Sequence, residues 1–238
     1  MIKKLLTISI SLLLSTTAAI LHAEGDVNAG KQQAAACAGC HGADGNSTVP
    51  SFPKLAGQHA SYLIKELTAL KKGTRNAPMM APLAMGLNEK SMADLAAFYA
   101  SQTTSTNSMP SLPLDEDDED EEDEAALAVI KVAQQEKLDG LLIKGADLYQ
   151  NGNLKNKVSA CIACHGVNGE GNQPAKFPVI NGQHADYLIK TLTDFQQGNR
   201  NAESENIMNM IAKKMTSEEI QAVSYYLSVM NEQKKSAK

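Results

Sequence analysis

The chain contains an internal repeat, and this repeat constrains the fold more than any other feature of its 238 residues. The segment CAGCHGADGN, beginning at Cys37, matches CIACHGVNGE, beginning at Cys161. Further along, FPKLAGQHASYLIKELTALKKGTRNA matches FPVINGQHADYLIKTLTDFQQGNRNA without a gap. Each unit spans roughly 80–95 residues, the size of a small domain. The sequence therefore predicts two similar domains in tandem.

Both units have the pattern of helical domains. Apolar residues at helical spacing run from Gln58 to Gly73, and the second unit repeats this pattern up to Gly198. Asn88 and Thr216 are favourable N-caps for a last helix in each unit. Strand signals are weak, so the expected fold class is all-α. The chain has no tryptophan and 4% aromatic residues, so a domain of this size needs another group to help fill its core.

All four cysteines lie in two Cys-x-x-Cys-His motifs. Two disulfides are the default in an exported chain, but this spacing makes a poor structural disulfide. Zinc needs four ligands where each motif offers three, and a thioredoxin-like dithiol needs a surrounding sheet. The spacing is that of covalent haem attachment, in which two thiols bond one haem and the histidine ligates its iron. The sequence predicts two haems, held by Cys37, Cys40 and His41 and by Cys161, Cys164 and His165.

The second axial ligand of each iron decides between electron transfer and catalysis at an open iron. Met80 aligns with Met208, each eight residues before the N-cap of the last helix of its unit, and this pair is the expected ligand pair. Met79 has no sulfur counterpart in the second unit, and Met210 aligns with a proline. Three other methionines are expected to fill the cores: Met85, Met92 and Met215.

Two further matched pairs are open to more than one interpretation. His59 and His184 could ligate iron, but each opens a helix, where a polar residue serves as a cap or a hydrogen-bond donor. Arg75 and Arg200 could neutralise a haem propionate or lie solvated on the surface.

The tandem of these motifs resembles the cytochrome c4 family over nearly all of the expected mature chain apart from the linker. The resemblance implies two class I cytochrome c domains, each wrapped around one covalent haem with histidine and methionine as iron ligands. It points to the same methionines, Met80 and Met208. It also implies that the carbonyl oxygens of Pro53 and Pro178 orient the ligand histidines.

Two segments lie outside the repeat. An apolar run behind Lys3 and Lys4 is typical of a signal peptide over residues 1–23, cleaved after Ala23, with an uncleaved anchor as the alternative. Ten consecutive acids, Asp115 to Glu124, repel one another and are expected to be extended or disordered. We therefore expect a first domain over 24–102, an acidic linker over 103–139 with a helix over 125–138, and a second domain over 140–238.

The expected function is that of a periplasmic electron carrier, which cycles two haems between ferric and ferrous states and catalyses no reaction of its own. By resemblance, its partners are a terminal oxidase and a cytochrome bc complex, and only such partners would bring it to the membrane. We expect no nucleic-acid partner. The alternatives are a dihaem peroxidase, in which Met80 or Met208 leaves one iron open, and the haem subunit of a periplasmic dehydrogenase. The acidic run is either a solvated spacer or a means of steering a basic docking face.

Overall fold

The computed structural model describes residues 25–112, 123–200 and 206–236, with the side chains of the last helix described up to Met230. The signal-peptide prediction for residues 1–23 lies outside the described residues. So does the prediction for most of the acidic run, since only Asp123 and Glu124 of that run are described.

The described residues form helices joined by loops. The first unit contains α1 (Val27–Gln33), a 3₁₀ turn (Ala34–Ala36), α2 (Ala38–His41), α3 (Ala60–Lys71), α4 (Ala81–Met85) and α5 (Glu89–Ala100). The second unit contains α6 (Glu124–Asn151), α7 (Ile162–His165), α8 (Ala185–Gln197), α9 (Ile207–Ala212) and α10 (Ser217–Ser236). Within these ranges, β structure is limited to two isolated bridges, Asn153–Val158 and Asn172–Phe177. The all-α prediction is confirmed.

The helix ends follow the signals seen in the sequence. Gly73, just past α3, has φ +71°, and Gly198, at the end of α8, has φ +78°, conformations that favour glycine. The Asn88 side chain accepts from the backbone N–H of Ser91 at 2.8 Å at the start of α5. At the start of α10, Thr216 and Glu219 form a capping box: each side chain accepts from the other's backbone N–H, at 3.1 and 2.7 Å.

The two units pack their helices in the same way. In the first, α5 lies against α1 and α3; in the second, α10 lies against α6 and α8. Each crossing of first and last helix depends on one glycine. A Cβ on Gly30 would lie 2.0 Å from the carbonyl oxygen of Asp94, and a Cβ on Gly145 would lie 2.1 Å from that of Ala222. Any side chain at these positions would force the helices apart.

Each unit has its own hydrophobic core. The first is formed by Ala34, Leu63, Leu95, Ala96, Phe98 and Tyr99. The second is larger and is formed by Leu148, Tyr149, Val158, Leu188, Leu192, Met215, Ile220, Val223, Tyr226, Leu227 and Met230. A third cluster joins α6 to α10 through Leu138, Leu141, Ala222 and Tyr225.

The helix expected over 125–138 is longer than predicted. It begins after Asp123, whose side chain accepts from the N–H of Ala125 at 2.9 Å, and continues to Asn151 as α6. The expected boundary between residues 139 and 140 therefore falls inside one helix. The helix continues there because Leu138 and Leu141 are both buried against α10, and a Cβ added at Gly140 between them would meet nothing within 4 Å.

The start of the linker lies along the body of the protein. Thr104 donates to the carbonyl oxygen of Ala56 at 2.7 Å. The Asn107 amide donates to the carbonyl oxygens of Gly182 at 3.0 Å and Ser228 at 2.9 Å in the second unit. These bonds fix the linker to both units before the acidic run begins.

Candidate haem sites

Each Cys-x-x-Cys-His motif forms one short turn of helix. Cys37 and Cys161 are the N-terminal caps of α2 and α7, and His41 and His165 are the last residues of these helices. The two cysteines and the histidine of each motif therefore lie on one helical turn and its cap. All four cysteines are free thiols.

Both motif histidines are buried and oriented by a carbonyl oxygen. His41 is 5% exposed, and its Nδ1–H donates to the carbonyl oxygen of Pro53 at 2.9 Å. His165 is 8% exposed, and its Nδ1–H donates to that of Pro178 at 3.0 Å. Burial lowers the pKa of both imidazoles, and the carbonyl contact partly offsets this. A neutral imidazole with Nδ1 engaged presents Nε2 as the metal-binding nitrogen.

The first cysteine of each motif lies against apolar side chains. Cys37 packs against the first core together with Leu55, and Cys161 packs against the second core together with Ile180 and Met208. Burial raises the pKa of Cys37 and raises the pKa of Cys161 to about 11. Redox dithiols and nucleophilic cysteines have lowered thiol pKa values, so the raised pKa values of Cys37 and Cys161 do not favour that chemistry. Among the described residues, no three or more His, Cys, Asp or Glu side chains converge on a point suited to a metal ion such as zinc.

The aligned methionines are set apart from their neighbours by burial. Met80 and Met208 are half-buried, whereas Met79 is 73% and Met210 is 63% exposed. Met208 also contacts the same core as Cys161.

The three methionines expected in the cores divide two to one. Met92 and Met215 are 3% and 5% exposed, as predicted. The prediction for Met85 is wrong, because this side chain is 66% exposed. It is the last residue of α4, a helix of five residues that buries only Ala84.

His59 and His184 connect the two units. Each precedes a helix, but neither side chain caps it. His59 Nε2 instead donates to the carbonyl oxygen of Glu170 at 2.8 Å, and His184 Nε2 donates to that of Ser47 at 2.9 Å. Of the expected roles, the structure supports that of a hydrogen-bond donor, directed across the interface.

The two arginines also meet at this interface, so the expectation of a solvated surface position is wrong for Arg200. Arg200 is 5% exposed, and its guanidinium contacts Glu66 of the first unit at 3.0 Å. Arg75 contacts the same carboxylate oxygen at 2.6 Å. The hydroxyl of Tyr62 accepts from Arg200 at 3.0 Å, and that of Tyr187 accepts at 3.3 Å. The repeat brings Arg75 and Arg200 together, but their shared partner Glu66 has a threonine as its counterpart in the second unit.

Two interface residues were missed by the sequence reasoning. Gln58 and Gln183 are 7% and 8% exposed, and both bond to the backbone of the opposite unit. The signal that could have revealed them was the repeated Gly-Gln-His segment in both units, of which only the histidine was interpreted.

The residues present fit a covalently attached haem in each unit. No disulfide joins the cysteines, and the first cysteine of each motif lies against apolar side chains. The imidazole Nε2 is available in each unit, and a thioether lies against the core beside the second motif. A helical unit with these parts defines the class of c-type cytochromes.

Comparison with known proteins gives the family within that class. The sequence profile of cytochrome c matches residues 27–103 and again 142–231. Cytochrome c4 of Pseudomonas aeruginosa is 37% identical over 223 residues, covering 93% of this chain and 96% of the relative. The crystal structure of reduced recombinant cytochrome c4 from Pseudomonas stutzeri matches with a TM-score of 0.72 and 34% identity, covering 86% of this chain and 98% of that one. The chain belongs to the cytochrome c4 family, so it is a dihaem electron-transfer cytochrome with covalently bound haem c.

One relative has a more specific name. A thiosulfate dehydrogenase electron acceptor from Stutzerimonas stutzeri is 32% identical over 196 residues, covering 82% of this chain and 79% of the relative.

In the described part of this chain, no helix is both long enough and apolar enough to cross a membrane.

Proposed function

We propose that this cytochrome is a periplasmic electron shuttle with two His/Met haems and no substrate chemistry of its own. The proposed domains extend over 24–102 and 140–238, joined by the linker 103–139, whose last part belongs to the same helix, α6, as the start of the second domain. Residues 1–23 are proposed to be a signal peptide removed after Ala23. The observation that carries the proposal is the matched geometry of the two sites. In both units a buried imidazole donates from Nδ1 to a proline carbonyl oxygen, which leaves Nε2 for iron.

Four cysteines and four axial ligands would hold the two haems. Thioether bonds would form at Cys37, Cys40, Cys161 and Cys164, and the axial ligands would be His41 and Met80 in the first unit and His165 and Met208 in the second. When bound, each haem supplies one-electron exchange between ferric and ferrous iron. The chain orients both imidazoles, excludes water from them by burial, and brings the two units together through buried hydrogen bonds. A methionine ligand raises the reduction potential and closes the iron to substrates.

Far-red absorption of the ferric protein tests the methionine assignment, because methionine sulfur on ferric haem gives a weak band there. The wild type should show this band at full strength per haem. Met80→Ala and Met208→Ala should each remove half of it, whereas the exposed neighbours in Met79→Ala and Met210→Ala should leave it unchanged. A half-strength band in the wild type, together with ready cyanide binding, would mean one open iron and would favour a peroxidase.

The donors and acceptors are proposed on the basis of the family resemblance. Electrons would arrive from a cytochrome bc complex or a periplasmic dehydrogenase and leave to a terminal oxidase. Similarity to a thiosulfate dehydrogenase electron acceptor specifically favours a second candidate function, acceptance of electrons from a dehydrogenase. Copurification from periplasm separates the two: a stable, stoichiometric dehydrogenase partner would contradict a free shuttle. Intact mass of the exported protein tests both cleavage after Ala23 and the addition of two haems.

A further inference from the structure

Two buried glutamine side chains bind the backbone of the opposite unit in the same way. Gln183 Oε1 accepts from the N–H of Lys54 at 2.8 Å, and its Nε2 donates to the carbonyl oxygen of Lys54 at 2.9 Å. Gln58 Oε1 accepts from the N–H of Val179 at 2.9 Å, and its Nε2 donates to the carbonyl oxygen of Val179 at 2.8 Å. The two arrangements are reciprocal, so each unit holds one backbone residue of the other.

The residues they hold directly follow the prolines that orient the motif histidines. The N–H of Lys54 and the carbonyl of Pro53 belong to one peptide group, and that carbonyl accepts from His41 Nδ1 at 2.9 Å. A continuous chain of hydrogen bonds therefore runs from the His41 imidazole through this peptide to Gln183 of the other unit. The equivalent chain runs from His165 through the Pro178–Val179 peptide to Gln58.

The orientation of each glutamine amide is fixed by its other contacts. Gln58 Oε1 also accepts from the N–H of His59 at 3.0 Å, and Gln183 Oε1 also accepts from the N–H of His184 at 3.0 Å. Each Oε1 thus faces two N–H donors while Nε2 faces a carbonyl oxygen. Rotating the amide by half a turn would place Nε2 against those donors, so the acceptor stays directed at the peptide of the opposite unit.

We propose that Gln183 and Gln58 are positioning residues that act across the interface between the two units. Each strengthens the hydrogen bond made by the iron-ligating histidine of the other unit. The proposal rests on His41 and His165 being the iron ligands proposed above. A peptide whose N–H is bonded to an acceptor becomes polarised, and its carbonyl oxygen becomes a stronger acceptor. A stronger acceptor at Nδ1–H makes the imidazole a more basic ligand. A more basic ligand favours ferric over ferrous iron and lowers the reduction potential.

The consequence is that the properties of each haem depend on the unit that does not carry it. Both glutamines are more than nine-tenths buried, so water does not replace either bond in the assembled protein. Separating the units would remove both bonds at once. The interface therefore acts on the iron sites as well as joining the domains.

The experiment uses the full-length dihaem protein with ¹⁵N-labelled histidine and assigned imidazole Nδ1–H resonances, combined with voltammetry. Gln183→Met keeps the volume and removes the acceptor. It should shift the Nδ1–H resonance of His41 and raise the potential of the first haem, while His165 stays unchanged. Gln58→Met should give the opposite pattern, shifting His165 and the second haem only.

Two further variants control for damage to the interface. Ser61→Ala removes another bond between the units, from the Ser61 hydroxyl to the carbonyl oxygen of Gln173 at 2.7 Å, and should shift neither imidazole resonance. Gln183→Glu, protonated at this buried site beside the carbonyl oxygen of Lys54, keeps both an acceptor for the N–H of Lys54 and a donor for that carbonyl. It should therefore shift the His41 resonance less than Gln183→Met does.

The proposal predicts that each glutamine variant affects the histidine and haem of the other unit only, and this distinguishes it from a structural role. A purely structural role predicts that each variant disturbs its own unit, or both units equally, and either result would overturn the proposal, as would unchanged resonances in both methionine variants. A failure of the ligand assignment is recognised separately. In that case the wild type lacks the hyperfine shifts of iron-bound imidazole at His41 or His165. That result would contradict both the ligand assignment and the proposed effect of the glutamines on the haems.

Discussion

The buried ion cluster between the units provides the sharpest test of what holds them together. Glu66 is the carboxylate between two arginines, at 2.6 Å from Arg75 and 3.0 Å from Arg200. Its side chain is 11% exposed and that of Arg200 is 5% exposed. Substituting Glu66→Gln keeps the shape and removes the negative charge, which leaves Arg75 and Arg200 without their shared carboxylate.

The expected loss of stability follows from this burial. Removing one partner of a buried ion pair costs about 3–5 kcal/mol, because the remaining charge stays desolvated and unpaired. The glutamine amide oxygen can still accept one hydrogen bond, so we expect the lower end, about 3 kcal/mol. The same substitution at the exposed pair of Lys144 and Glu218, 2.8 Å apart with side chains 41% and 63% exposed, should cost at most about 1 kcal/mol.

The stability difference should also depend on pH. Burial by itself raises the pKa of Glu66, but Arg200 and Arg75 lower it further than burial raises it, so it lies below its usual range. A lowered pKa in the folded state means that the stabilisation is complete above the unfolded value of about 4.3 and is lost as the pH falls through the folded value. The difference in unfolding free energy between wild type and Glu66→Gln should therefore decrease below about pH 4.

Guanidinium unfolding of the holoprotein, followed by helical and Soret signals at several pH values, measures both effects. Glu218→Gln is the matched control. Two results would refute the idea that the buried cluster stabilises the assembled protein. One is an equal loss of unfolding free energy for Glu66→Gln and Glu218→Gln at pH 7. The other is a difference in unfolding free energy between wild type and Glu66→Gln that stays constant down to pH 3.

Three further predictions concern other parts of the chain. Gly145→Ala should lower the free energy of unfolding by about 3 kcal/mol, because its Cβ would overlap a backbone carbonyl. Gly140→Ala in the same helix should raise it by about 0.5–1 kcal/mol, and equal effects in denaturant titrations would contradict the close crossing. Thr216→Ala should cost about 1 kcal/mol through loss of the capping box with Glu219, measured in the same way. If the acidic run 115–124 steers a basic partner, replacing it with Gly/Ser should abolish the ionic-strength dependence of electron delivery in stopped-flow measurements; an unchanged salt slope would make it a spacer.

Several features of the candidate sites could be predicted from the sequence because they are local. Two thiols and an imidazole on one helical turn need only a five-residue motif, and α2 and α7 form that turn. The helix caps at Asn88 and Thr216 are likewise set by residues within four positions of each other. The repeat also identified the half-buried methionine pair, because alignment separated Met80 and Met208 from their exposed neighbours.

Other features could not be predicted because they depend on burial or on distant partners. Met85 is exposed because α4 buries only Ala84, and the apolar character of methionine does not reveal this. The continuity of α6 past residue 139 depends on its burial against α10. Arg200 and Glu66 are 134 positions apart, and no periodicity in either unit links them.

The sequence by itself determined the local features of this protein: two Cys-x-x-Cys-His motifs, two helical units and a matched pair of methionines. Each motif lies within one helical turn, and the repeat aligns the two methionines, so these features can be recognised without any long-range contact. Only the tertiary structure decided how the two halves act on each other. Gln58, Gln183, His59, His184 and Arg200 reach partners more than 100 positions away, and an isolated unit could supply none of those contacts.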